Sequence, residues 1–205
     1  MLLPYLEANR SEAGCDEVGR GCLCGPVVAA AVIFPPGYAN KWINDSKKIK
    51  RADREDLVEE IKEMALAWAV AEASVAEIDQ FNILNASFLA MERAICKLSM
   101  VPDHLLIDGN RFKSSLSIPF DCIVKGDGKF VSIAAASILA KVHRDRYMER
   151  LAVDFPAYGW EKNAGYPTKA HREAIRKNGP TPWHRKTFRL LPEQLTLELE
   201  TTGGR

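Results

Sequence analysis

Short apolar runs alternate with amphipathic segments along most of the chain. Five segments are predicted to be strands, at residues 12–18, 25–34, 66–73, 104–108 and 120–124. The run at 25–34 is continuously apolar, which is typical of a strand buried on both faces of a sheet. Apolar residues at helical spacing lie between them, at Leu57, Val58, Ile61 and Met64 and at Leu84, Phe88, Met91, Ile95 and Leu98. The second set predicts a helix from about 82 to 97. This alternation predicts an α/β fold in which helices flank a central sheet.

The last third of the chain has a different pattern. Residues 132–151 form the best helical segment, with small residues in the first half and charged residues in the second. Residues 155–182 are rich in Gly, Pro, Asn and aromatic side chains, interrupted by one predicted helix at 169–177. We therefore expect a helical region after about residue 140, packed beside the sheet.

Three helix starts carry a possible capping residue. Ser74 and Glu77 have the spacing of a capping box, in which the serine and glutamate side chains bond each other's backbone N–H groups. Thr168 precedes the predicted helix at 169–177, and Ser46 or Asp53 is expected to cap the first helix.

The composition fits one domain, or one domain with a C-terminal appendage. The 205 residues are 47% hydrophobic, enough to bury a full core. The N-terminus lacks the basic and apolar regions of a signal peptide, and no apolar run is long enough to cross a bilayer. The five cysteines are odd in number and lie in apolar surroundings, which favours reduced thiols. We expect a cytoplasmic protein with no membrane contact.

The net charge of +1 conceals a gradient along the chain. Residues 141–190 contain twelve Lys or Arg against five Asp or Glu, whereas the other residues contain sixteen against twenty-two. An acidic site beside a basic flank is typical of proteins that bind polyphosphate, although a solvated basic face without a partner remains open.

Four carboxylates lie at or near the ends of predicted strands: Asp16, Glu17, Asp108 and Asp127. An α/β sheet gathers functional groups at such ends, and grouped carboxylates repel one another unless cations lie between them. Oxygen ligands without Cys or His match one or two Mg²⁺ or Mn²⁺ ions. Two ions roughly 3.5 to 4 Å apart can promote phosphodiester cleavage by water. Taken singly, Asp108 and Asp127 are equally well explained as turn residues.

The segment after the first two acids is a glycine-flanked arginine, Gly19-Arg20-Gly21. Exposed backbone N–H groups beside a guanidinium are suited to bind phosphate. Adjacent strand residues point to opposite faces, so Asp16 and Glu17 can share one site only where the strand bulges or ends. We therefore predict a strand break at Glu17.

Seven short motifs occur along the chain, in this order: DEVGRG at 16–21, DSKK at 45–48, LIDGN at 106–110, KGD at 125–127, AAASILAKV at 134–142, GYPTKAH at 165–171 and GPTPWHR at 179–185. Together they resemble ribonuclease HII, the bacterial type 2 ribonuclease H. The resemblance implies an RNase H-like fold, a mixed central sheet flanked by helices with a C-terminal helical region. It also implies metal-dependent cleavage of the RNA strand of RNA/DNA hybrids, and incision 5′ of single ribonucleotides in duplex DNA, leaving 5′-phosphate and 3′-hydroxyl ends.

The same resemblance assigns residues to roles. The four-carboxylate metal site falls on Asp16, Glu17, Asp108 and Asp127. The loop that senses the 2′-hydroxyl falls on Gly19, Arg20 and Gly21, and the ring that stacks on the next sugar falls on Tyr166. We expect phosphate contacts from the basic residues of the motifs, with surface solvation as the alternative for each: Lys47, Lys125, Lys141, Arg144, His171, His184 and Arg185.

The resemblance covers residues from about 11 to 190. It implies one domain, in which a catalytic core at about 11–140 precedes a helical substrate-binding region at about 141–190, followed by a tail at 191–205. We expect a monomer. Three alternatives stay open from the residues themselves: another two-metal nuclease, which would lack the Gly-Arg-Gly loop, a non-catalytic nucleic-acid-binding module, and a small-molecule phosphohydrolase.

Overall fold

The computed structural model describes residues 1–46 and 49–192. Five strands and five α-helices make up the fold. The strands are β1 (Glu12–Val18), β2 (Val27–Ile33), β3 (Ala67–Ala73), β4 (His104–Asp108) and β5 (Phe120–Ile123). The helices are α1 (Arg51–Met64), α2 (Val75–Cys96), α3 (Val131–Asp154), α4 (Trp160–Asn163) and α5 (Lys169–Asn178), with 3₁₀ turns at Gly126–Gly128 and Pro156–Tyr158.

The strands form one mixed sheet in the order β3-β2-β1-β4-β5. β2 is antiparallel to both β1 and β3, whereas β4 is parallel to β1 and β5 is parallel to β4. Every residue of β2, which lies between β3 and β1, is buried. Helix α2 covers one face of the sheet, and α1 and α3 cover the other. The predicted α/β fold with a mixed, helix-flanked sheet is therefore confirmed.

Helix α3 lies unusually close to β1 because small residues meet at their contact. A Cβ atom placed on Gly14 would lie 2.3 Å from the backbone carbon of Ser132, so no larger residue fits there. The alanines at 134–136 are fully buried against the same face. This close packing brings the middle of α3 beside the end of β1.

The helix starts agree only in part with the capping predictions. Ser74 and Glu77 form the complete capping box, and the Thr168 hydroxyl accepts a hydrogen bond from the His171 N–H. Helix α1 begins after Lys50 with no side-chain cap among the described residues, so the prediction of Ser46 or Asp53 is wrong.

Helix α2 is longer than predicted because two helical segments meet in it. Asn82, the predicted helix start, has a φ of 65° and marks the junction. Its side-chain oxygen accepts hydrogen bonds from the Leu84 and Asn85 N–H groups, so it caps the second segment.

A separate apolar cluster holds the C-terminal region. It joins Met148 of α3, Trp160, Ile175 of α5 and Leu190 to Leu23 and Cys24, which follow β1. Because α3 runs unbroken through residue 140, no break in the backbone marks the predicted division into core and helical region, which stays a prediction. Among the described residues, no helix combines the length and apolar character needed to span a membrane.

Candidate active site

The four predicted carboxylates meet in one cavity. Asp16 and Glu17 lie near the end of β1, Asp108 ends β4, and Asp127 lies in the 3₁₀ turn after β5. The parallel strands β1, β4 and β5 all end at the same edge of the sheet, which explains this meeting. The cavity measures about 160 Å³ and is lined by Asp16, Glu17, Val18, Ser46, Asp108, Asp127, Ser137, Lys141 and Tyr166.

The predicted strand break at Glu17 is wrong, because β1 continues to Val18. Asp16 pairs with Ala30 on the α3 face of the sheet, and Glu17 pairs with Ala29 on the α2 face. Pairing between β1 and β4 ends one residue earlier, at Cys15. Beyond Cys15, β4 no longer lies paired beside β1. The side chains of Asp16 and Glu17 can therefore reach the cavity from opposite faces of the sheet.

Burial dominates the electrostatics of Asp16, which is only 6% exposed. It raises the pKa of Asp16 well above its ordinary value, and the charges of Glu17 and Asp108 raise it further. A hydrogen bond from Ser137 and one from the Glu17 N–H at 2.7 Å act in the opposite direction. Burial also raises the pKa of Glu17, against the nearby charge of Arg20.

This donor set fits a hard divalent cation. Among residues 1–46 and 49–192, the cavity is lined by carboxylate and hydroxyl oxygens, one amine and one phenol, with no Cys or His. Carboxylate oxygens are the ligands that Mg²⁺ and Mn²⁺ prefer, and a cation between the acids would relieve the charge repulsion that contributes to the raised pKa of Asp16 and Glu17. Asp108 is held in place by a 2.6 Å hydrogen bond from the Gly126 N–H.

The Gly-Arg-Gly loop follows directly at the end of β1. Gly19 has a φ of +96°, and a Cβ atom there would lie 2.3 Å from Nε of Arg144, so the position requires glycine. Arg20 is exposed, and its guanidinium lies 3.2 Å from a carboxylate oxygen of Glu17. No described atom lies within 4 Å of a Cβ placed on Gly21, so that side of the loop faces open space.

The predicted phosphate contacts of Arg144 and Arg185 are wrong. Both side chains are fully buried. Arg144 donates hydrogen bonds to the carbonyls of Pro26, Cys24 and Ala164. Arg185 donates to four carbonyls, those of Gly19, Arg20, Gly25 and Pro26. These guanidinium groups therefore fix the backbone around the Gly-Arg-Gly loop and cannot reach a ligand in solvent.

The predicted phosphate contacts of His171 and His184 are wrong for the same reason, since both imidazoles are buried. Burial lowers the pKa of His171 and lowers that of His184 to about 4, so both rings are neutral at pH 7. His171 Nδ1 donates to the Tyr166 carbonyl at 2.9 Å, which fixes the loop that carries Tyr166.

Cys24, His171 and His184 have ligand atoms within 4.8 Å of one another, a spacing that a metal ion could bridge. The hydrogen bonds of the two histidines leave no ring lone pair directed at such an ion. His171 Nε2 accepts from the Trp160 indole N–H at 3.0 Å. His184 Nδ1 accepts from the Thr181 backbone N–H at 2.9 Å, so the neutral ring carries its proton on Nε2. Neither facing nitrogen offers a lone pair to a metal, and the cluster is a hydrogen-bonded part of the core.

The other residues predicted to contact substrate lie at different distances from the carboxylate cavity. Tyr166 and Lys141 line the carboxylate cavity, and the Lys141 amine lies 5.8 Å from the centre of the Tyr166 ring. Lys125 is exposed in the turn before Asp127. Lys47 lies outside the described residues. Substrate contact by Lys125, Lys141 and Tyr166 stays a prediction.

Two cavity residues have functional positions that the sequence analysis missed. Ser46 and Ser137 line the cavity and form a hydroxyl pair at 3.0 Å. One signal was present in the sequence: Ser137 lies one helical turn before Lys141, so the two side chains share a face of α3.

Comparison with known proteins agrees with this site. The family model described as ribonuclease HII matches residues 13–191. Ribonuclease HII of Parabacteroides distasonis is 62% identical over 197 residues, covering 96% of this chain and 99% of its own length.

Two solved structures share the fold. Ribonuclease H2 from Pyrococcus horikoshii superposes with a TM-score of 0.74 at 23% identity, covering 95% of this chain and 100% of its own. Bst-RNase HIII in complex with Mn²⁺ superposes with a TM-score of 0.72 at 21% identity, covering 92% of this chain and 70% of its own. The match of the family model over most of the sequence shows that the chain belongs to the ribonuclease HII family, and it is accordingly an endonuclease of the ribonuclease H class that depends on a divalent metal.

Proposed function

We propose that this enzyme incises 5′ of a single ribonucleotide embedded in duplex DNA, besides cutting the RNA strand of RNA/DNA hybrids. The products carry 5′-phosphate and 3′-hydroxyl ends. One observation supports this most directly: the Gly-Arg-Gly loop and the Tyr166 ring both adjoin the carboxylate cavity, so a single nucleotide can be examined where it is cut.

The Gly-Arg-Gly loop suits recognition of a 2′-hydroxyl, the only group that distinguishes RNA from DNA at one position. Arg185 draws the carbonyls of Gly19 and Arg20 inward at 2.7 and 2.9 Å, which holds the loop backbone in one conformation. Gly21 has no side chain and faces open space, so a sugar can approach the loop backbone closely at that point. Such a preformed backbone reads the hydroxyl by hydrogen bonds.

Tyr166 supplies a ring on the α3 side of the cavity. It is 37% exposed, and two contacts fix the backbone beside it: the bond from His171 to its carbonyl, and the bond from Arg144 to the carbonyl of Ala164. A ring in this place packs against the sugar of the next nucleotide. Because deoxyribose lacks the 2′-hydroxyl, this contact favours an RNA-to-DNA junction.

The four carboxylates Asp16, Glu17, Asp108 and Asp127 would hold one or two Mg²⁺ or Mn²⁺ ions. Such ions, when bound, activate water and neutralise charge on the phosphodiester. The protein contributes the alignment of the acids: the Glu17 N–H fixes Asp16 at 2.7 Å, and the Gly126 N–H fixes Asp108 at 2.6 Å. Lys141 lines the same cavity, and its amine would bind a phosphate of the substrate.

The proposed organisation follows from the same features. Residues up to about 140 carry the carboxylates and form the catalytic core, and residues 141–190 hold the recognition elements against it. We further propose that the enzyme acts as a monomer in the cytoplasm, where reduced thiols such as buried Cys15, Cys22 and Cys24 persist.

The test is incision of three labelled duplexes: one with a single ribonucleotide, one RNA/DNA hybrid and one of DNA alone. We expect cutting of the first two in Mg²⁺ or Mn²⁺, none in chelator, and none of the DNA duplex. Activity on the hybrid with no incision at the single ribonucleotide would reject the proposed specificity. Equal cutting of pure DNA would favour another two-metal nuclease.

A further inference from the structure

Asp16 is a buried carboxylate that lies just beyond the pairing of β1 with β4. The last pair between β1 and β4 is Cys15 with Ile107, so Asp16 lies one residue beyond the support of β4. It is nevertheless buried, and its neighbours Glu17 and Asp108 are also acids. Pairing with β2 fixes the backbone of Asp16, and the Glu17 N–H binds one of its carboxylate oxygens, so further contacts decide how the rest of the carboxylate is held.

Two buried hydroxyls lie beside it. Ser137 of α3 is 7% exposed and hydrogen-bonds to Asp16. Ser46 is 3% exposed, and its oxygen lies 3.0 Å from that of Ser137. A serine hydroxyl has one proton, so when Ser137 donates to the carboxylate, Ser46 must donate to Ser137. The hydrogen bonds then run in one direction, from Ser46 through Ser137 to Asp16.

The outer end of this chain is held by Arg54. Its guanidinium donates to the carbonyl of Ser46 at 2.9 Å and to that of Ile49 at 2.8 Å, and the side chain is only 12% exposed. Asp145 lies 3.9 Å from the same guanidinium and accepts a hydrogen bond from Lys141 at 2.7 Å. Arg54 thus fixes the backbone that presents the Ser46 hydroxyl.

We infer that Ser46, Ser137 and Arg54 are positioning residues for Asp16, acting through a directed chain of hydrogen bonds from the loop before α1 to the catalytic carboxylate. The chain orients the Asp16 carboxylate together with the hydrogen bond from the Glu17 N–H. The inference rests on the proposed assignment of Asp16 to the metal site. It assigns no contact with nucleic acid to either serine.

The experiment compares Ser46→Ala, Ser137→Ala and the double variant with wild type. At saturating RNA/DNA hybrid, the Mn²⁺ concentration for half-maximal rate should rise about tenfold in Ser137→Ala and about threefold in Ser46→Ala, in line with one lost hydrogen bond to a charged group and one to a neutral group. The double variant should match Ser137→Ala, because Ser46 acts only through Ser137. The KM for the hybrid should stay unchanged.

A second measurement avoids catalysis. Mn²⁺ alone, without nucleic acid, should raise the Tm of wild type more than that of Ser137→Ala, because weaker binding gives less stabilisation. Ser46→Thr keeps the hydroxyl and should restore the wild-type response, and Arg54→Lys should behave like Ser46→Ala. The matched control is Ser115→Ala, which removes a serine bond to Glu92 outside the cavity and should leave the metal response unchanged.

Three results would overturn the inference. The first is a Ser46→Ala variant with a raised KM for the hybrid and an unchanged metal response, since this is the signature of a nucleic-acid contact. The second is an additive double variant, which would show that the serines act separately. The third is an unchanged metal response in Ser137→Ala. Failure of the site assignment is distinguished by Asp16→Asn, because activity in that variant would remove Asp16 from the metal site whatever the serines do.

Discussion

Replacing Arg185 by methionine should destabilise the whole protein, although its sequence context suggested a phosphate contact. The side chain is fully buried and donates to the carbonyls of Gly19, Arg20, Gly25 and Pro26, at distances of 2.7 to 3.3 Å. Methionine fills a similar volume but donates no hydrogen bond. Four carbonyl groups therefore lose a partner in a region from which water is excluded.

The expected magnitude follows from these contacts. Hydrogen bonds to a charged group contribute about 1.5 to 3 kcal/mol each, and bonds that share one guanidinium are not additive. We expect the free energy of unfolding to fall by about 3 to 5 kcal/mol, because the carbonyls of Arg20 and Gly25 lose their side-chain donor at about 1 to 3 kcal/mol each, while those of Gly19 and Pro26 keep a second donor. For a chain of this size, that corresponds to a Tm lower by about 6 to 20 °C.

Urea unfolding followed by circular dichroism measures the change, and Lys186→Met is the matched control because Lys186 is adjacent and exposed. The control should unfold within about 0.5 kcal/mol of wild type. Wild-type stability in Arg185→Met, combined with a salt dependence of hybrid binding reduced by about one phosphate contact, would refute this reasoning and restore the phosphate assignment.

Three further outcomes are expected. Asp16→Asn should lower the cleavage rate about a hundredfold or more. Its Tm in chelator should equal or exceed that of wild type, because the buried charge is not needed for folding. Near-normal cleavage would contradict the metal-site assignment. In chelator, the contribution of Asp16 to stability should be lost as the pH rises from about 4, because its folded pKa is raised and the contribution is complete only below the unfolded value. The stability of wild type relative to that of Asp16→Asn should therefore fall with rising pH, and parallel curves would contradict the assigned burial. Tyr166→Ala should slow incision at a single ribonucleotide about tenfold and affect long hybrids less, whereas equal losses would argue against junction sensing.

The fold could be predicted from the sequence because its strands are mainly short apolar segments and its helices have clear periodicity. The run at 25–34 is the clearest case, since β2 is buried along its whole length. The meeting of the four carboxylates was also predictable, because parallel strands end at a common edge. The failure of Ser46 to cap α1 was not predictable, because its hydroxyl bonds that of Ser137, a residue 91 positions away.

The roles of the basic residues could not be predicted from local pattern. Arg144 and Arg185 look like surface cations in the sequence, but their hydrogen-bond acceptors are backbone carbonyls at distant positions, which no string of residues reveals. The same holds for His171 and His184, whose burial depends on Trp160 and the cluster around it. The predicted strand break at Glu17 was wrong because access of both side chains to the cavity depends on where β4 stops pairing with β1. That position is a property of the neighbouring strand.

The anchoring of the Gly-Arg-Gly loop by Arg185 also sets an order of events during synthesis. The bond from Arg185 to Gly19 joins residues 166 positions apart. A ribosome makes the four carboxylates by residue 127 but has to add about sixty residues before the loop can be fixed, a delay of several seconds at about 5 to 20 residues per second. A growing chain therefore contains all four acids before the conformation of its Gly-Arg-Gly loop is fixed. The ability to select a ribonucleotide comes late in synthesis.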